Sequence, residues 1–279
     1  MLHEPVVLFR YFNLETKEEQ TICAKHFKTV QSRSDVENIK NKIVIGRYSV
    51  LPFYKELEND LSYFNSKLIN SFREHRYIAD LKNWALDVDV DEPLLTAHTP
   101  RTWLSFQDVP DNIPLILKGE TNSRKDKWNT HMFAKNKTEA IQIYLKLKND
   151  RFFENQEIYI REYLKLKTYF TDPVNEQPVT KEFRFFCYQD KVLAGGYYWS
   201  NHLDQVKKIE EPKISDVPES FLNKLTNIIS RSATFYVVDV AQLENGEWIL
   251  IELNDGQMSG LSEVDPNELY SNLKQCFIE

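Results

Sequence analysis

The sequence is poor in glycine and cysteine and has no long apolar run. Its seven glycines form neither a GxGxxG nor a GxxxxGK[ST] pattern, which excludes the usual glycine-rich phosphate loops. Three cysteines stand far apart without a CxxC pair, so a disulfide framework or zinc site is not expected and a reducing, cytoplasmic location is. No stretch approaches the ~20 apolar residues that span a bilayer, and the N-terminal residues lack a signal-peptide pattern, so no membrane association is expected.

Several catalytic signatures are missing as well. The six histidines occur singly, without HxxxH or HExxH spacing, and there is no GxSxG, which argues against zinc hydrolases and α/β-hydrolases. A KxDG motif is also absent, so a lysine-adenylating nucleic-acid ligase gains no support. The net charge of −7 argues against a nucleic-acid partner, whereas 42% hydrophobic and 28% charged residues are typical of a globular protein.

Residues 235–255 carry the most informative pattern. Two β-branched, apolar runs flank Asn245-Gly246, the strongest short signal for a hairpin with a type I′ turn. With those two residues as the loop, Asp239 lies opposite Glu252 on one face of the sheet. Asn254, two residues beyond Glu252, shares that face.

The three polar side chains of this hairpin suggest a metal site. Two facing carboxylates repel each other, and a hard divalent cation with oxygen ligands relieves that repulsion. Asp239, Glu252 and Asn254 are therefore candidate ligands for Mg²⁺, with Mn²⁺ as an alternative. The competing interpretation is an acidic face that is solvated or paired with lysine and arginine.

Other candidate site residues end or interrupt strands. Lys118 closes the apolar strand PLILK, where it either binds an anion or reaches out to water, and Ser123 and Lys125 lie in the polar, basic loop that follows. Glu162 falls on the apolar face of strand 157–167, as a site residue or as a partner of Arg161.

The order of strands and helices indicates several units. Strands at 6–12 and 42–49 alternate with helices in residues 1–98, as in a small α/β unit with a parallel sheet. One helix is expected from residue 75 onward, followed by an exposed acidic connector at 87–92. Arg47, at a strand end, is either a ligand contact or a surface arginine.

Taken in order, these pieces resemble the ATP-grasp superfamily over most of the chain. The matching segments are IADLKNW with Lys82, PLILKG with Lys118, SRKDKWN, IYIREYL, EFRFF with Arg184, and VVDVAQ…WILIELND. The sequence departs from the superfamily's pattern in a phosphate loop without glycines and in Glu182, which replaces an aspartate.

The resemblance implies an α+β and α/β architecture of three parts that enclose ATP. The parts are an N-terminal pre-ATP-grasp unit (1–98), a central subdomain (99–164) and a C-terminal subdomain with the metal hairpin (165–279). Lys82, Lys118, Ser123 and Lys125 would bind phosphates, the backbone at Glu162, Tyr163 and Leu164 would meet the adenine, and Arg184 would brace the transferred phosphoryl group.

The activity implied is that of a carboxylate–amine ligase. It would use ATP and Mg²⁺ to form an acylphosphate and then an amide from small-molecule or peptide substrates. Two alternatives remain open, a nucleotide-binding regulatory protein on the same scaffold and an ATP-dependent modifier of a protein or nucleic acid. The sequence does not indicate the substrates or the oligomeric state, and Arg47 and Arg73 are only candidates for the acceptor pocket.

Overall fold

The structure, a computed structural model, describes residues 3–10, 14–31, 39–86, 95–120, 123–154 and 156–278. The acidic connector expected at 87–92 and the last two residues of the strand expected at 6–12 lie outside these ranges. Within them, no helix combines the length and apolarity that crossing a membrane requires.

The first sheet is parallel, as the alternation of strands and helices predicts. Its strands are β1 (His3–Phe9), β2 (Lys28–Val30), β3 (Lys42–Arg47) and β4 (Lys67–Leu68), in the order β2-β1-β3-β4. Helices α1 (Leu14–Cys23) and α2 (Tyr54–Tyr63) connect them. Helix α2 buries Tyr54, Leu57 and Leu61 against this sheet, which gives the N-terminal part its own core.

The single helix expected from residue 75 is two helices, α3 (Phe72–Ala79) and α4 (Leu81–Ala85). Asp80 separates them because its backbone is extended and its carboxylate caps α4 by accepting from the Lys82 amide. A second acceptor role, to the Tyr159 hydroxyl at 2.5 Å, holds Asp80 in place. The chain therefore turns just before Lys82.

The central sheet is antiparallel and smaller. Its strands are β5 (Thr102–Trp103), β6 (Leu115–Gly119), β7 (Phe133–Ala134) and β8 (Ile158–Glu162), in the order β5-β8-β6-β7. Helix α5 (Lys137–Lys148) packs on it through Ala140, Ile143 and Leu147. Its N-terminal cap is Asn136, which accepts from the Glu139 amide, and not the Thr138 suggested by sequence.

The C-terminal sheet is antiparallel and carries the hairpin. Its strands are β11 (Glu182–Tyr188), β12 (Lys191–Tyr197), β13 (Phe235–Gln242) and β14 (Trp248–Asp255), in the order β12-β11-β13-β14. A two-stranded ribbon, β9 (Thr168–Thr171) and β10 (Pro178–Thr180), precedes it. The remaining helices are α6 (Leu203–Val206), α7 (Glu219–Ile229) and α8 (Pro266–Gln275).

The two faces of this sheet have different neighbours. Phe183, Val238 and Leu253 belong to one core, with the buried residues of α7. Phe186 and Val237, on the other face, pack with residues of β1, β3 and α8. Because side chains alternate between faces, this second face also carries Arg184, Asp239 and Glu252.

The hairpin pairs Asp239 with Glu252 as expected, but through a different loop. Leu243 and Glu247 close a three-residue loop, and only Gly246 in it has a positive φ, of 91°. This is the type I turn with a left-handed glycine, not the two-residue type I′ turn. A bulge in β14 then restores the register, because Val240 pairs with Leu250 while Asp239 pairs with Glu252.

The larger sheets fall within residues 3–68, 102–162 and 182–255. The domain boundaries at 98/99 and 164/165 stay a prediction.

Candidate active site

Three ionisable side chains form a row across three neighbouring strands. Arg184 on β11 lies opposite Asp239 on β13, which lies opposite Glu252 on β14. Arg184 donates from Nε and Nη2 to the two oxygens of Asp239, at 2.8 Å each. Asp239 is fully buried, and this bidentate pair compensates its desolvated charge. Arg184 also donates to the Gly260 carbonyl at 2.8 Å, which fixes its side chain.

The expected metal ligands lie together, though not on equal terms. The amide nitrogen of Asn254 donates to Asp239 at 3.2 Å, which leaves the amide oxygen of Asn254 for another partner. Glu252 and Asn254 both line a cavity. No group of three or more histidine, cysteine, aspartate or glutamate side chains that could hold a metal occurs within the described ranges. A carboxylate and an amide oxygen beside a cavity fit Mg²⁺, which takes few protein ligands and leaves room for phosphate oxygens.

Lys118 forms an ion pair with Glu252 and does not simply reach out to water. Burial alone would raise the pKa of Glu252, but Lys118 and Lys125 outweigh it and lower that pKa to about 2. Glu252 is therefore ionised at any physiological pH. The end of β6 thus brings a cation to the acidic row of the C-terminal sheet.

Arg161 is a site residue that the sequence analysis treated only as a possible partner of Glu162. It is buried, and its guanidinium donates to the hydroxyls of Thr99 (2.8 Å) and Thr102 (3.2 Å) and to the Ile251 carbonyl (2.8 Å). Ile251 is the extra residue of the β14 bulge, whose carbonyl is released from the strand ladder. Burial lowers the pKa of Arg161 to about 10, and Glu252 opposes that shift.

Within the described ranges, Arg161 has no carboxylate in an ion pair, so it is a buried cation held by neutral groups. Such a cation beside a cavity is suited to an anionic ligand. The available signal was an arginine inside the otherwise apolar strand IYIREYL.

Lys125 adds a further cation. It donates to the Tyr198 hydroxyl at 2.7 Å and lies over the Tyr198 and Trp199 rings, 4.5 and 5.0 Å from their centroids. Burial lowers the pKa of Lys125, but Tyr198, Glu182 and Glu252 outweigh it and the pKa is raised. Lys125 therefore stays charged.

Two cavities meet at these residues. A narrow cavity of about 120 Å³ has apolar walls that include Ile116, Trp128 and Leu164. A wide cavity of about 520 Å³ is lined by residues such as Arg184, Asn254 and Ser259. The residues common to both are Lys118, Ser123, Lys125 and Glu252.

Glu162, Tyr163 and Leu164 line the narrow cavity. Glu162 pairs with Arg101, at 2.7 and 3.0 Å, and not with Arg161. The backbone amides of Glu162 and Tyr163 donate to the carbonyls of Arg101 and Pro114. Among the described residues, the backbone of Leu164 has no such partner, so its N–H and C=O remain for a ligand.

Three other candidates lie elsewhere. Lys82, on α4, lines neither cavity, and its charge instead acts on Glu120, lowering the pKa that burial raises. Its contact with nucleotide stays a prediction. Arg73 is exposed and lines neither cavity.

Arg47 is neither a surface residue nor a ligand contact. It is fully buried, donates to Glu19 at 2.9 Å, and binds the carbonyls of Gly256 and Ser259. A strand end that faces another part of the same chain looks, in sequence, like one that faces a ligand.

No protein with a curated functional description matches this sequence. Solved structures match the whole fold at low identity. D-cycloserine synthetase DcsG has a TM-score of 0.59 at 10% identity, covering 98% of this chain and 99% of that one. D-alanine–D-alanine ligase from Bacillus anthracis complexed with ATP has a TM-score of 0.56 at 13% identity, covering 99% and 96%. The ATP-grasp ligase PsnB, complexed with a minimal precursor, Mg and ADP, has 0.53 at 12%, covering 98% and 98%.

These likenesses confirm the expected fold. The sequence profile of an ATP-grasp domain family, the third family of its clade, matches residues 106–273, more than half of the chain. The chain therefore belongs to the ATP-grasp superfamily, and within it to that family.

Proposed function

We propose that this protein is an ATP- and Mg²⁺-dependent ligase that joins a carboxylate to an amine through an acylphosphate and releases ADP and phosphate. Membership of the ATP-grasp superfamily supports ATP binding and ligase activity in general. The observation that carries the finer proposal is the row Arg184–Asp239–Glu252 beside two cavities that share Lys118 and Lys125.

In this proposal the nucleotide lies across both cavities. Adenine occupies the narrow, apolar one, where the free N–H and C=O of Leu164 can pair with the edge of the base. The phosphates then lie at the residues common to both cavities. Lys118, Lys125 and Ser123 bind them there, and Arg161 adds positive charge from below.

Glu252 and Asn254 would hold Mg²⁺, with Asp239 fixing both Asn254 and Arg184. A bound Mg²⁺ bridges phosphate oxygens and neutralises charge that develops during transfer. The PsnB complex that contains Mg and ADP is compatible with this use of the fold.

The chain's own residues then act by position and charge. A substrate carboxylate in the wide cavity attacks the γ-phosphorus, and Arg184, held rigid by Asp239 and Gly260, stabilises the transferring group. The amine enters the same cavity and displaces phosphate from the acyl carbon. Leu51, Phe152 and Met258 contribute apolar surface to that cavity, whose size suits an amino acid or the end of a peptide.

The substrate class rests on chemistry and on analogy. Structural neighbours include a D-alanine–D-alanine ligase and a ligase complexed with a precursor peptide. Small-molecule or peptide carboxylates and amines are therefore the substrates to test first.

The test is a screen of amino acids and short peptides with ATP and Mg²⁺, following ADP, AMP and ligated product by mass. We expect ADP and phosphate only when a carboxylate and an acceptor are both present. AMP and pyrophosphate would contradict the acylphosphate route. Nucleotide binding without turnover across the panel would favour a regulatory protein instead.

A further inference from the structure

A histidine–aspartate pair lies in the wall of the wide cavity and has no role so far. His75 on α3 lines this cavity together with Glu252, Asn254 and Arg184. Its Nδ1 atom lies 2.9 Å from Oδ2 of Asp255, the last residue of β14. Both side chains are almost entirely buried, at 9% and 2% exposure.

Asp255 is arranged to receive protons from neutral donors. Its Oδ1 accepts from the Asn70 side-chain amide and from the Gln257 backbone amide, both at 2.9 Å. His75 is the one side chain in an ion-pair contact with this carboxylate within the described ranges. The buried carboxylate is therefore placed to stabilise an imidazolium at position 75.

The same contact defines the histidine tautomer. An ionised carboxylate only accepts, so Nδ1 of His75 carries a proton and donates it to Asp255. In the neutral ring, Nε2 is then an acceptor. It makes no hydrogen bond in the described part of the chain, and it is not among the sealed polar atoms that lack partners, which there are the hydroxyls of Tyr77 and Tyr169.

Packing fixes the orientation of the ring. The Tyr54 ring stacks on His75 at a centroid distance of 4.5 Å and an angle of 27°. The Tyr54 hydroxyl is bound to the Asn70 carbonyl at 3.0 Å and accepts from the Gln257 amide at 2.6 Å. A proton acceptor with a fixed tautomer and a fixed ring plane thus borders the cavity of the second half-reaction.

We propose that His75, oriented by Asp255, is the general base that deprotonates the amine acceptor. This role rests on the proposed ligase function. The ammonium group gives one proton to Nε2, and the resulting neutral amine attacks the acyl carbon. As the C–N bond forms and the C–O bond to phosphate breaks, the second N–H proton leaves with phosphate as HPO₄²⁻. Asp255 stabilises the imidazolium until its proton passes to solvent.

The two half-reactions can be separated with hydroxylamine. Hydroxylamine is largely unprotonated at neutral pH and needs no base, whereas amino-acid amines are mostly protonated. The full-length protein is given ATP, Mg²⁺ and the twenty amino acids as carboxylate donors, with either hydroxylamine or the amino acids themselves as acceptor. Hydroxamate and amide products are then quantified by mass.

His75→Gln keeps an N–H for Asp255 but cannot take the proton. We expect amide formation to fall on the order of 10²-fold or more, the usual contribution of a general base, while hydroxamate formation stays close to wild type. His26→Gln is the matched control, because His26 is only half-buried, contacts Asn267 and lines neither cavity. Should His75→Gln fail to fold, His75→Ala with added imidazole applies the same test, with rescue of amide formation as the expected result.

The outcomes separate the two proposals. Equal loss of both products in His75→Gln would mean that His75 only supports the structure, and equal retention would mean that another group takes the proton. A wild-type protein that forms neither product contradicts the ligase function itself, and the role of His75 falls with it.

Discussion

The carboxyl group of Glu182 is buried in the narrow cavity near Lys125 and the acids of the C-terminal sheet. Burial raises its pKa from the ordinary 4.5 to about 7, while Lys125 opposes the shift and Asp239 adds to it. Between these two pH values the folded protein holds a proton that the unfolded chain has lost. Stability contributed by this group therefore falls as pH rises from about 4.5 and is fully lost above about 7.

Glu182→Gln should remove this dependence. Above pH 7 the variant should be more stable than wild type, by up to about 3 kcal/mol, because the penalty of a buried charge is gone. Near pH 4.5 the two should be alike. Urea denaturation at pH 5 and pH 8 measures the difference, with Glu263→Gln, at an exposed position, as the control. Equal stabilities at pH 8 would contradict the raised pKa.

Lys118→Ala tests the phosphate site. Loss of a charge-assisted hydrogen bond costs roughly 1.5–3 kcal/mol, so the Kd for Mg-ADP should rise on the order of 10- to 100-fold. Calorimetric titration gives the affinity, and Lys127→Ala is the control because Lys127 is exposed and lines neither cavity. An unchanged affinity would mean that Lys118 serves only to neutralise Glu252.

At the scale of single residues, sequence reasoning identified groups whose type is unusual for their place. Lys118 after an apolar strand and Asp239 inside one were recognised in this way. Arg161 has the same signal, but it was assigned to its neighbour Glu162, and the structure gives that partner to Arg101. His75 carries no local signal at all, because its function depends on Asp255, 180 residues away.

Among the elements, the β13–β14 hairpin shows why a correct pairing does not require a correct turn. The loop is one residue longer than a type I′ turn, and the bulge at Ile251 adds one residue to the second strand. The two changes cancel at Asp239 and Glu252. Bulges have no simple sequence pattern, so this compensation was not predictable, and the same holds for the helix break at Asp80.

Gly246→Ala should destabilise the hairpin. A φ of 91° is unfavourable for a residue with a Cβ atom, while no atom lies within 4 Å of the added carbon, so the cost is conformational and not steric. We expect a loss of roughly 1–2 kcal/mol in thermal or urea unfolding. Gly260→Ala is the matched control, since it also has open space and no positive φ. Equal effects of both substitutions would contradict the assignment of the loop.

At the scale of the whole molecule, Arg47 joins the N-terminal sheet to the segment after β14. It pairs with Glu19 of α1 and holds the carbonyls of Gly256 and Ser259, and Tyr270 of α8 also donates to Glu19. Ser259 borders the wide cavity. This buried network therefore couples the stability of the fold to the shape of the acceptor side of the cleft.

Arg47→Met should leave Glu19 charged and unpaired in the interior. Removal of one partner of a buried ion pair costs roughly 3–5 kcal/mol, which urea denaturation would detect as a large fall in the free energy of unfolding. The double variant Arg47→Met/Glu19→Leu should recover part of the loss. Arg73→Met, at an exposed position, is the control. A small effect of Arg47→Met would show that the network contributes little.

The bulge at Ile251 makes the length of this hairpin a matter of parity. Leu253 is fixed in the core beneath the sheet, so the direction of its neighbours follows from a strict alternation. Removing a single residue between the loop and Glu252 would aim Glu252 and Asn254 into that core, or force the strand to slip. Lengths that change by two residues keep both side chains above the sheet, so relatives with functional cleft chemistry should differ here only in even steps.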